Sequence, residues 1–191
     1  MLEPDGLPQL HERVVSTINT LLDELLAATG VPRENLYEAV AVGNATMLHL
    51  LLGIDPEPIS VAPFIPAVAE AVTLPAADIG LRLHPQARLS TLPHVGAYVG
   101  ADIVAGVLAT GLARNPDGRL RLFIDVGTNG EIVLGSASRA LATAAPAGPA
   151  FEGAQIKCGM RAGEGAIEGV RIADDVHLQI IGGNARPLGI C

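Results

Sequence analysis

The chain has 191 residues, 49% of them hydrophobic and 17% charged, so it is long and apolar enough to bury the core of a globular domain. Twenty acidic residues against twelve basic ones give a net charge of -8, and the basic residues are scattered, which argues against nucleic acid as a partner. No apolar run approaches the ~18 residues of a membrane span, and the acidic N-terminus is unlike a signal peptide. We therefore predict a cytoplasmic protein.

The two cysteines form no recognisable site. Cys158 and Cys191 are far apart in the sequence and match no metal-binding or redox spacing, so we interpret both as reduced thiols. Iron-sulfur clusters are typically held by four thiolates, so we do not expect this chain to hold a cluster by itself.

The N-terminal region predicts an amphipathic helix. Over residues 10–28 the apolar side chains recur three and four positions apart, with acidic residues between them. Gly30 is the expected left-handed stop, and Pro32 prevents continuation of the helix.

A strand, a tight turn and a second helix are predicted next. A β-rich run over 36–42 precedes a helical run over 45–52, for which Asn44 is the expected N-cap. Asn44, Thr46 and His49 lie at or just after this turn, which is a good place for a ligand contact. A helix cap and a packed histidine explain the same residues without a ligand.

The next two segments differ in composition. Seven of the fourteen prolines fall within 54–93, which predicts an irregular insertion with short strands that packs on or binds something. Small residues mark one face of the apolar segment 95–112, which predicts a helix in close contact with a neighbouring element. Asp102 on this helix is either a water-orienting base or a solvent-facing or capping residue.

The turn with the most chemistry joins a mostly apolar strand at 120–125 to a returning strand. Gly127 and Gly130 permit a backbone whose amide groups point at one anion, and such concave nests favour phosphate. Thr128 and Asn129 add short polar side chains that can donate to phosphate oxygens. We therefore predict a phosphate-binding hairpin.

Two carboxylates flank this turn. Asp125 ends a strand, where a carboxylate is costly to bury, so we expect it to face a wet cleft. Magnesium with several waters would relieve the repulsion between Asp125 and a phosphate, so Asp125 is the candidate ligand of the metal or its waters. Glu131 either orients a water or supports the turn. The alternative is a plain β-hairpin in which Asp125 and Asn129 satisfy local backbone groups.

The order of these features resembles the superfamily of acetate and sugar kinases, heat-shock chaperones and actin (ASKHA), in which a small-residue helix precedes the second phosphate hairpin. The closer resemblance is to the reductive activators of corrinoid-dependent enzymes. The blocks that carry it span most of the chain: VGNATMLHLLLGI at 42–54, DVGTNGE at 125–131, AGPAFEGAQI at 147–156 and KCGMRA at 157–162.

The resemblance implies an α/β protein with the actin-like, ribonuclease H-like ATPase fold, built from parts of two subdomains with mixed sheets and packed helices. It implies ATP with Mg²⁺ as ligand and an activity that returns Co(II) corrinoid to Co(I), with electrons from an iron-sulfur domain outside this chain. The implied partner is a corrinoid protein or a corrinoid-dependent methyltransferase, and a homodimer is one assembly that it allows.

On this resemblance we divide the chain at residue 113. Residues 1–113 would end the first subdomain, with the proline-rich insertion 54–93 and the connecting helix 95–112. Residues 114–191 would begin the second subdomain, with the phosphate hairpin at 120–135. The upstream hairpin, the cysteine-rich domain and the downstream Gly-Ser-Gly of the family have no counterpart here. We therefore interpret the chain as an internal fragment that is not expected to be active alone.

Further candidate contacts follow the hairpin. Pro149 suits the first position of a predicted helix. Gly148 and Gly153 would allow close approach of the backbone to the nucleotide or to the opposite subdomain. Lys157 and Arg161, four positions apart on that helix, would either attract a phosphate or a protein partner or lie on a solvated face.

Two other functions stay open. A small-molecule kinase of the same superfamily would need an acceptor pocket and a base for the substrate hydroxyl. A non-catalytic docking module would bind a corrinoid protein without turnover.

Overall fold

The computed structural model describes residues 5–114, 116–127, 129–146, 157–183 and 185–191. The chain divides into two compact units: Met1–Asp125 with Glu131–Ala144, and Val126–Gly130 with Ala145–Cys191. A compact unit need not coincide with a subdomain, so the predicted boundary at residue 113 stays a prediction.

Two helices and a strand open the first unit. Helix α1 spans Gly6–Thr29 and ends at Gly30, whose φ of 69° is the left-handed conformation that glycine adopts at little cost. Strand β1 covers Glu38–Ala41, and helix α2 covers Ala45–Leu52. The two predicted helices, the glycine stop and the strand are confirmed, with α1 beginning earlier than expected.

The proline-rich segment completes the first sheet. It contains the one-turn helix α3 at Glu57–Ser60, strand β2 at Thr73–Pro75 and strand β3 at Arg88–Thr91. Strand β3 is central, because it pairs parallel with β1 and antiparallel with β2. The predicted short strands are confirmed, and the segment is part of the sheet itself.

This segment also supplies much of the main core. Val15 of α1 lies in one buried cluster with Leu48 and Leu51 of α2. Against them pack buried residues of the proline-rich segment: Ala76, Ile79, Leu81, Ala87 and Leu89. The expectation that the segment packs on something is thus confirmed, since it closes the core beneath the two helices.

The helix predicted over 95–112 is shorter than expected. Helix α4 spans Ala101–Ala109, with Gly100 at its N-cap position. Before it, Gly96 and Val99 form an isolated bridge. The prediction was wrong at the N-terminal end because the small, apolar composition continues across the helix start without a recognisable breaker.

A second sheet follows with the strand order β4-β5-β6. Strand β4 is Arg121–Val126, β5 is Asn129–Gly135 and β6 is Ala140–Pro146. The predicted turn after β5 is also present, with the Ser136 N–H donating to the Arg139 carbonyl oxygen at 2.8 Å. The strands predicted on both sides of the hairpin are therefore confirmed.

Helix α4 packs closely against this sheet. A Cβ at Gly106 of α4 would lie 2.4 Å from Cζ of Phe123 in β4, so the ring occupies the space that a side chain would need. The helix and the sheet share a second buried cluster made of Val99, Ile103, Leu112 and Val133. The close contact predicted from the small residues is confirmed.

The second unit contains a third sheet. Strands β7 (Ala166–Ile172), β8 (Val176–Ile180) and β9 (Gly189–Ile190) form it. Strand β7 pairs antiparallel with β8 and parallel with β9, so the sheet is mixed. The two longer strands match the prediction.

Lys157 and Arg161 do not lie on a helix as predicted. Residues 157–161 form a turn followed by an isolated bridge at Gly159. A spacing of four residues places two side chains on the same face of a helix. Because Lys157 and Arg161 are not on a helix, their spacing no longer indicates that they act together.

The longest described helix, α1, has 24 residues and carries charged side chains such as Glu12, Arg13 and Asp23. In the described part of the chain, no helix is both long enough and apolar enough to cross a membrane.

Candidate functional site

The candidate site is the hairpin between β4 and β5. Only residues 127 and 128 separate the two strands, a connection too short for a parallel pair, so they run antiparallel. At the tip, the Gly127 N–H donates to the Asn129 carbonyl oxygen at 2.9 Å. The predicted strand-turn-strand is thus confirmed as backbone structure, while its ligand stays a prediction.

Asp125 lies on the half-buried face of β4. Arg121, Phe123 and Asp125 are half-buried along this strand, and the residues between them are exposed. Within the part of the chain that the structure describes, the Asp125 carboxylate has no hydrogen-bond or ion-pair partner. A partly desolvated carboxylate without a partner is costly, and a bound cation would remove that cost.

Glu131 is the third residue of β5. Its side chain is half-buried, and the buried Val133 follows two residues later on the same face. Among the described residues, Glu131 likewise has no hydrogen-bond or ion-pair partner. No described contact separates the water-orienting role of Glu131 from the turn-supporting role, so both stay predictions.

Among the described residues, a Cβ would fit at either of the two hairpin glycines. Neither Gly127 nor Gly130 has a left-handed φ. Apart from each glycine's two chain neighbours, a Cβ at Gly127 would come no closer than 3.7 Å to any described atom, and one at Gly130 no closer than 3.8 Å, which are ordinary van der Waals distances. The physical reason predicted for these glycines therefore changes, since neither an unusual conformation nor a close contact with described residues requires them.

The remaining predicted contacts divide into two groups. Asn129 is described, and its side chain is exposed at the hairpin tip. Thr128, Gly148 and Gly153 lie outside the described residues, as does the helix predicted from Pro149, so their roles stay predictions.

The turn at the end of β1 is occupied by the protein's own contacts. The Asn44 side-chain oxygen accepts from the Met47 N–H at 2.9 Å, which confirms the predicted N-cap. His49 is 1% exposed, with Nδ1 2.7 Å from the Ala45 carbonyl oxygen and Nε2 3.4 Å from the Val68 nitrogen. A ring with its proton on Nδ1 satisfies both bonds. Of the two interpretations, the cap and packed histidine fit these contacts.

Nearby oxygen atoms accept hydrogen bonds from the backbone amides in the first turn of α4. The Gly43 carbonyl oxygen accepts from the N–H of Ala101 at 3.1 Å and of Asp102 at 3.3 Å. The Asp102 carboxylate accepts from the Ile103 N–H at 2.9 Å. Among the roles predicted for Asp102, capping is the one that these contacts support.

Sequence spacing assigned no role to His94, yet it lies beside this junction. Its ring centroid is 6.1 Å from that of His49, and its buried Nδ1 has no hydrogen-bond partner among the described residues. Burial lowers the pKa of His94 below its ordinary value of 6.5, His49 lowers it further and Asp102 opposes the shift. The contact of His94 with His49 joins residues far apart in the sequence, so spacing alone could not reveal it.

The carboxylates of the hairpin fit magnesium only as an ion that is bound together with a nucleotide. Within the described residues, no group of three or more His, Cys, Asp or Glu side chains could hold a metal ion. Magnesium in nucleotide sites is commonly held by one or two carboxylates, substrate phosphates and waters, so the single unpartnered Asp125 is a sufficient protein ligand. The site suits a magnesium ion that arrives with a nucleotide.

Helix α4, packed on the strand that leads into the hairpin, agrees with the arrangement expected of an ASKHA-type fold. Two family models match the chain: the RACo middle region over residues 1–115, and the C-terminal domain of RACo, the ASKHA domain, over residues 119–191. The chain belongs to the RACo family. The predicted fold class and the predicted family of reductive activators are confirmed.

Named relatives agree with this family. The chain is 34% identical over 188 residues to the corrinoid activation enzyme RamQ of Eubacterium limosum, covering 98% of this chain. It is 35% identical over 99 residues, 51% of this chain, to the [Co(II) methylated amine-specific corrinoid protein] reductase of Methanosarcina barkeri, of which the match covers 18%. A solved reductive activator for a corrinoid, iron-sulfur protein is 45% identical over 99% of this chain, with a TM-score of 0.74.

These matches cover a minor part of the longer proteins. The chain spans 31% of the RamQ protein and 30% of the solved reductive activator. The relatives therefore establish the family of this region, whereas the activity of a whole activator is a matter for proposal.

Proposed function

We propose that this chain carries the nucleotide-binding part of an ATP-dependent reductive activator that returns corrinoid proteins from Co(II) to Co(I). The observation that carries the proposal is the hairpin: a half-buried Asp125 with no partner among the described residues, followed by glycines that no described contact requires. The names of the relatives support the corrinoid substrate. One electron per cobalt would come from an iron-sulfur domain, and ATP hydrolysis would drive the conformational or docking change that permits the transfer.

The hairpin residues take distinct roles in this proposal. Asp125 holds magnesium or its waters, and Glu131 orients a water near the phosphates. Gly127 and Gly130 let the backbone approach the phosphates, and Thr128, Asn129, Gly148 and Gly153 complete the nucleotide contacts. When bound, magnesium neutralises phosphate charge.

The family boundaries support the proposed division into subdomains. One family model ends at residue 115 and the other begins at residue 119. The proposed boundary at residue 113 falls close to this change. Limited proteolysis that cleaves first within 113–119 would agree with it, whereas first cleavage within 54–93 would contradict it.

The glycines give the sharpest test of nucleotide binding. Gly127→Ala fits the described structure without a clash, so the free energy of unfolding should change by less than ~0.5 kcal/mol. If phosphate approaches this backbone, the same methyl group should weaken MgATP binding about tenfold or more in calorimetry. Gly96→Ala is the matched control, because a Cβ at Gly96 likewise meets no close contact among the described residues, and Gly96 lies outside the hairpin. Equal MgATP affinity in both variants would contradict the proposal.

Asp125→Asn tests the carboxylate separately. The amide keeps the shape and removes the charge, so magnesium-dependent ATP binding should be lost while the free energy of unfolding does not fall. Binding that stays equally dependent on magnesium would contradict the assigned role.

Because the chain is not expected to be active alone, activity is tested with the chain joined to the upstream hairpin and iron-sulfur domain of a full-length relative, together with a corrinoid protein and a low-potential reductant. The expected result is ATP-dependent appearance of the Co(I) absorption spectrum. Phosphoryl transfer to a small hydroxyl or carboxyl acceptor would establish the kinase instead. Capture of the corrinoid protein without ATP hydrolysis would establish the docking module.

A further inference from the structure

We infer that Phe123, seated in the notch left by Gly106, is the positioning residue that sets which way Asp125 faces. This inference rests on the proposed function of Asp125 as the magnesium-associated carboxylate. Phe123, Gly106 and Asp125 all belong to the first compact unit.

The composition of β4 does not determine which face of the strand packs inward. Leu122 and Ile124 are as apolar as their neighbour Phe123, yet they are 59% and 51% exposed. Successive side chains alternate between the faces of a strand, so a slip by one residue would exchange the two sets. Hydrophobicity alone would therefore allow the side chains of either face of β4 to pack against α4.

The shape of α4 decides between them. At Gly106 a Cβ would lie 2.4, 2.8 and 3.2 Å from three ring carbons of Phe123, so the ring lies directly on the helix backbone. Around this contact Phe123 packs on the buried cluster of Val99, Ile103, Leu112 and Val133. Neither Leu122 nor Ile124 has a flat ring to fill the notch, so the notch selects the register that turns Phe123 inward.

Asp125 follows from that selection. It lies two residues after Phe123 and therefore on the same half-buried face. In the other register, Ile124 would take the inward position and the carboxylate would turn to the exposed face. The fit of the Phe123 ring against Gly106 therefore determines on which face of β4 the Asp125 carboxylate lies.

The helix that carries the notch is itself fixed at its start. The Gly43 carbonyl oxygen accepts from two amides of the first turn of α4. A Cβ at Gly100 would lie 2.7 Å from the Asn44 Cα atom, so the helix start and the β1–α2 turn touch through their backbones. These contacts hold the start of the helix that carries Gly106 in place, as a positioning role for Phe123 requires.

The test uses the 191-residue chain with carboxyl-¹³C-labelled aspartate, and Asp125→Asn identifies the Asp125 signal. Phe123→Leu keeps the position apolar but removes the ring. We expect its Asp125 signal to shift or broaden, and its MgATP affinity to fall about fivefold or more. Ile103→Val is the matched control, because it trims the same cluster but keeps both the Phe123 ring and Gly106, and it should lower stability while leaving both readouts unchanged.

A pair of variants separates positioning from general loss of packing. Gly106→Ala should displace the ring and disturb the Asp125 signal, and adding Phe123→Leu to it should restore the signal by making room. An unchanged Asp125 signal in Phe123→Leu, or no restoration in the double variant, would overturn the inference. If the signal responds as expected but the unmodified chain does not bind MgATP, the positioning stands and the proposed function fails.

Discussion

The two glycine-containing turns of this chain look alike in sequence and differ in what surrounds them. At the junction of β1, α2 and α4, Gly100 has backbone and side-chain atoms 2.6 to 2.9 Å from where a Cβ would lie. At the hairpin, the corresponding distances are 3.7 Å for Gly127 and 3.8 Å for Gly130. The first glycine is required by the protein's own packing. The other two are not, which is what a site for an external ligand requires.

The largest expected effect is at the packed junction. Gly100→Ala places a methyl group against the Asn44 Cα atom and the Gly43 carbonyl oxygen, which are backbone and cannot rotate away. We expect a loss of about 3 kcal/mol in the free energy of unfolding, measured by chemical denaturation. Gly127→Ala is the matched variant at the open turn. Similar losses in the two variants would break the comparison.

A smaller effect is expected from the cap at the same junction. Asn44→Ala removes the oxygen that accepts from the Met47 N–H, so the chain should lose about 1 kcal/mol of stability. Asn44→Asp keeps an acceptor and should retain most of that stability. If Asn44→Ala instead abolished MgATP binding at unchanged stability, the ligand interpretation of this turn would return.

The junction should also be sensitive to acid through His94. Burial lowers the pKa of His94, so the unfolded chain binds a proton more readily than the folded chain. The stability that His94 contributes is therefore present above pH ~6.5 and is lost as the pH falls from there through the folded-state pKa.

Denaturation at pH 7.5 and 5.5 measures this loss. His94→Gln cannot titrate and should lose less stability over this interval than the unmodified chain. His177→Gln, at an exposed histidine of β8, is the control and should behave like the unmodified chain. An equal pH dependence in all three proteins would contradict the role of His94.

The smallest effect on stability is expected at Gly130. Gly130→Ala finds no described atom closer than 3.8 Å, so stability should change by less than ~0.5 kcal/mol. Its effect on MgATP affinity compared with that of Gly127→Ala would show which glycine lies nearer the phosphates. A loss of stability well above this limit would mean that the hairpin is more tightly packed than its glycines indicate.

Local features of the fold were predictable from the sequence. The period of α1, the Asn44 cap of α2 and the Gly30 stop depend on residues within a few positions of one another. The start of α4 was mispredicted, because Gly100 caps it through contact with a distant turn and not through its own side chain.

Long-range features were not predictable in the same way. The central place of β3 depends on pairing with β1, about fifty positions earlier, and no local pattern specifies that choice. At the candidate site, the type and order of Asp125 and its neighbours were evident from the sequence. The contact of the Phe123 ring with Gly106 arises only when α4 and β4 meet.

The closed first turn of α4 bears on how this chain discriminates among anions. Helix N-termini commonly attract sulfate and phosphate through free amide groups. Here the amides of Ala101 and Asp102 share one carbonyl oxygen, and that of Ile103 is held by a carboxylate. Inorganic anions therefore find no free donor in the first turn of this helix, so the proposed binding of a nucleotide would depend on the hairpin and on the predicted contacts that follow it.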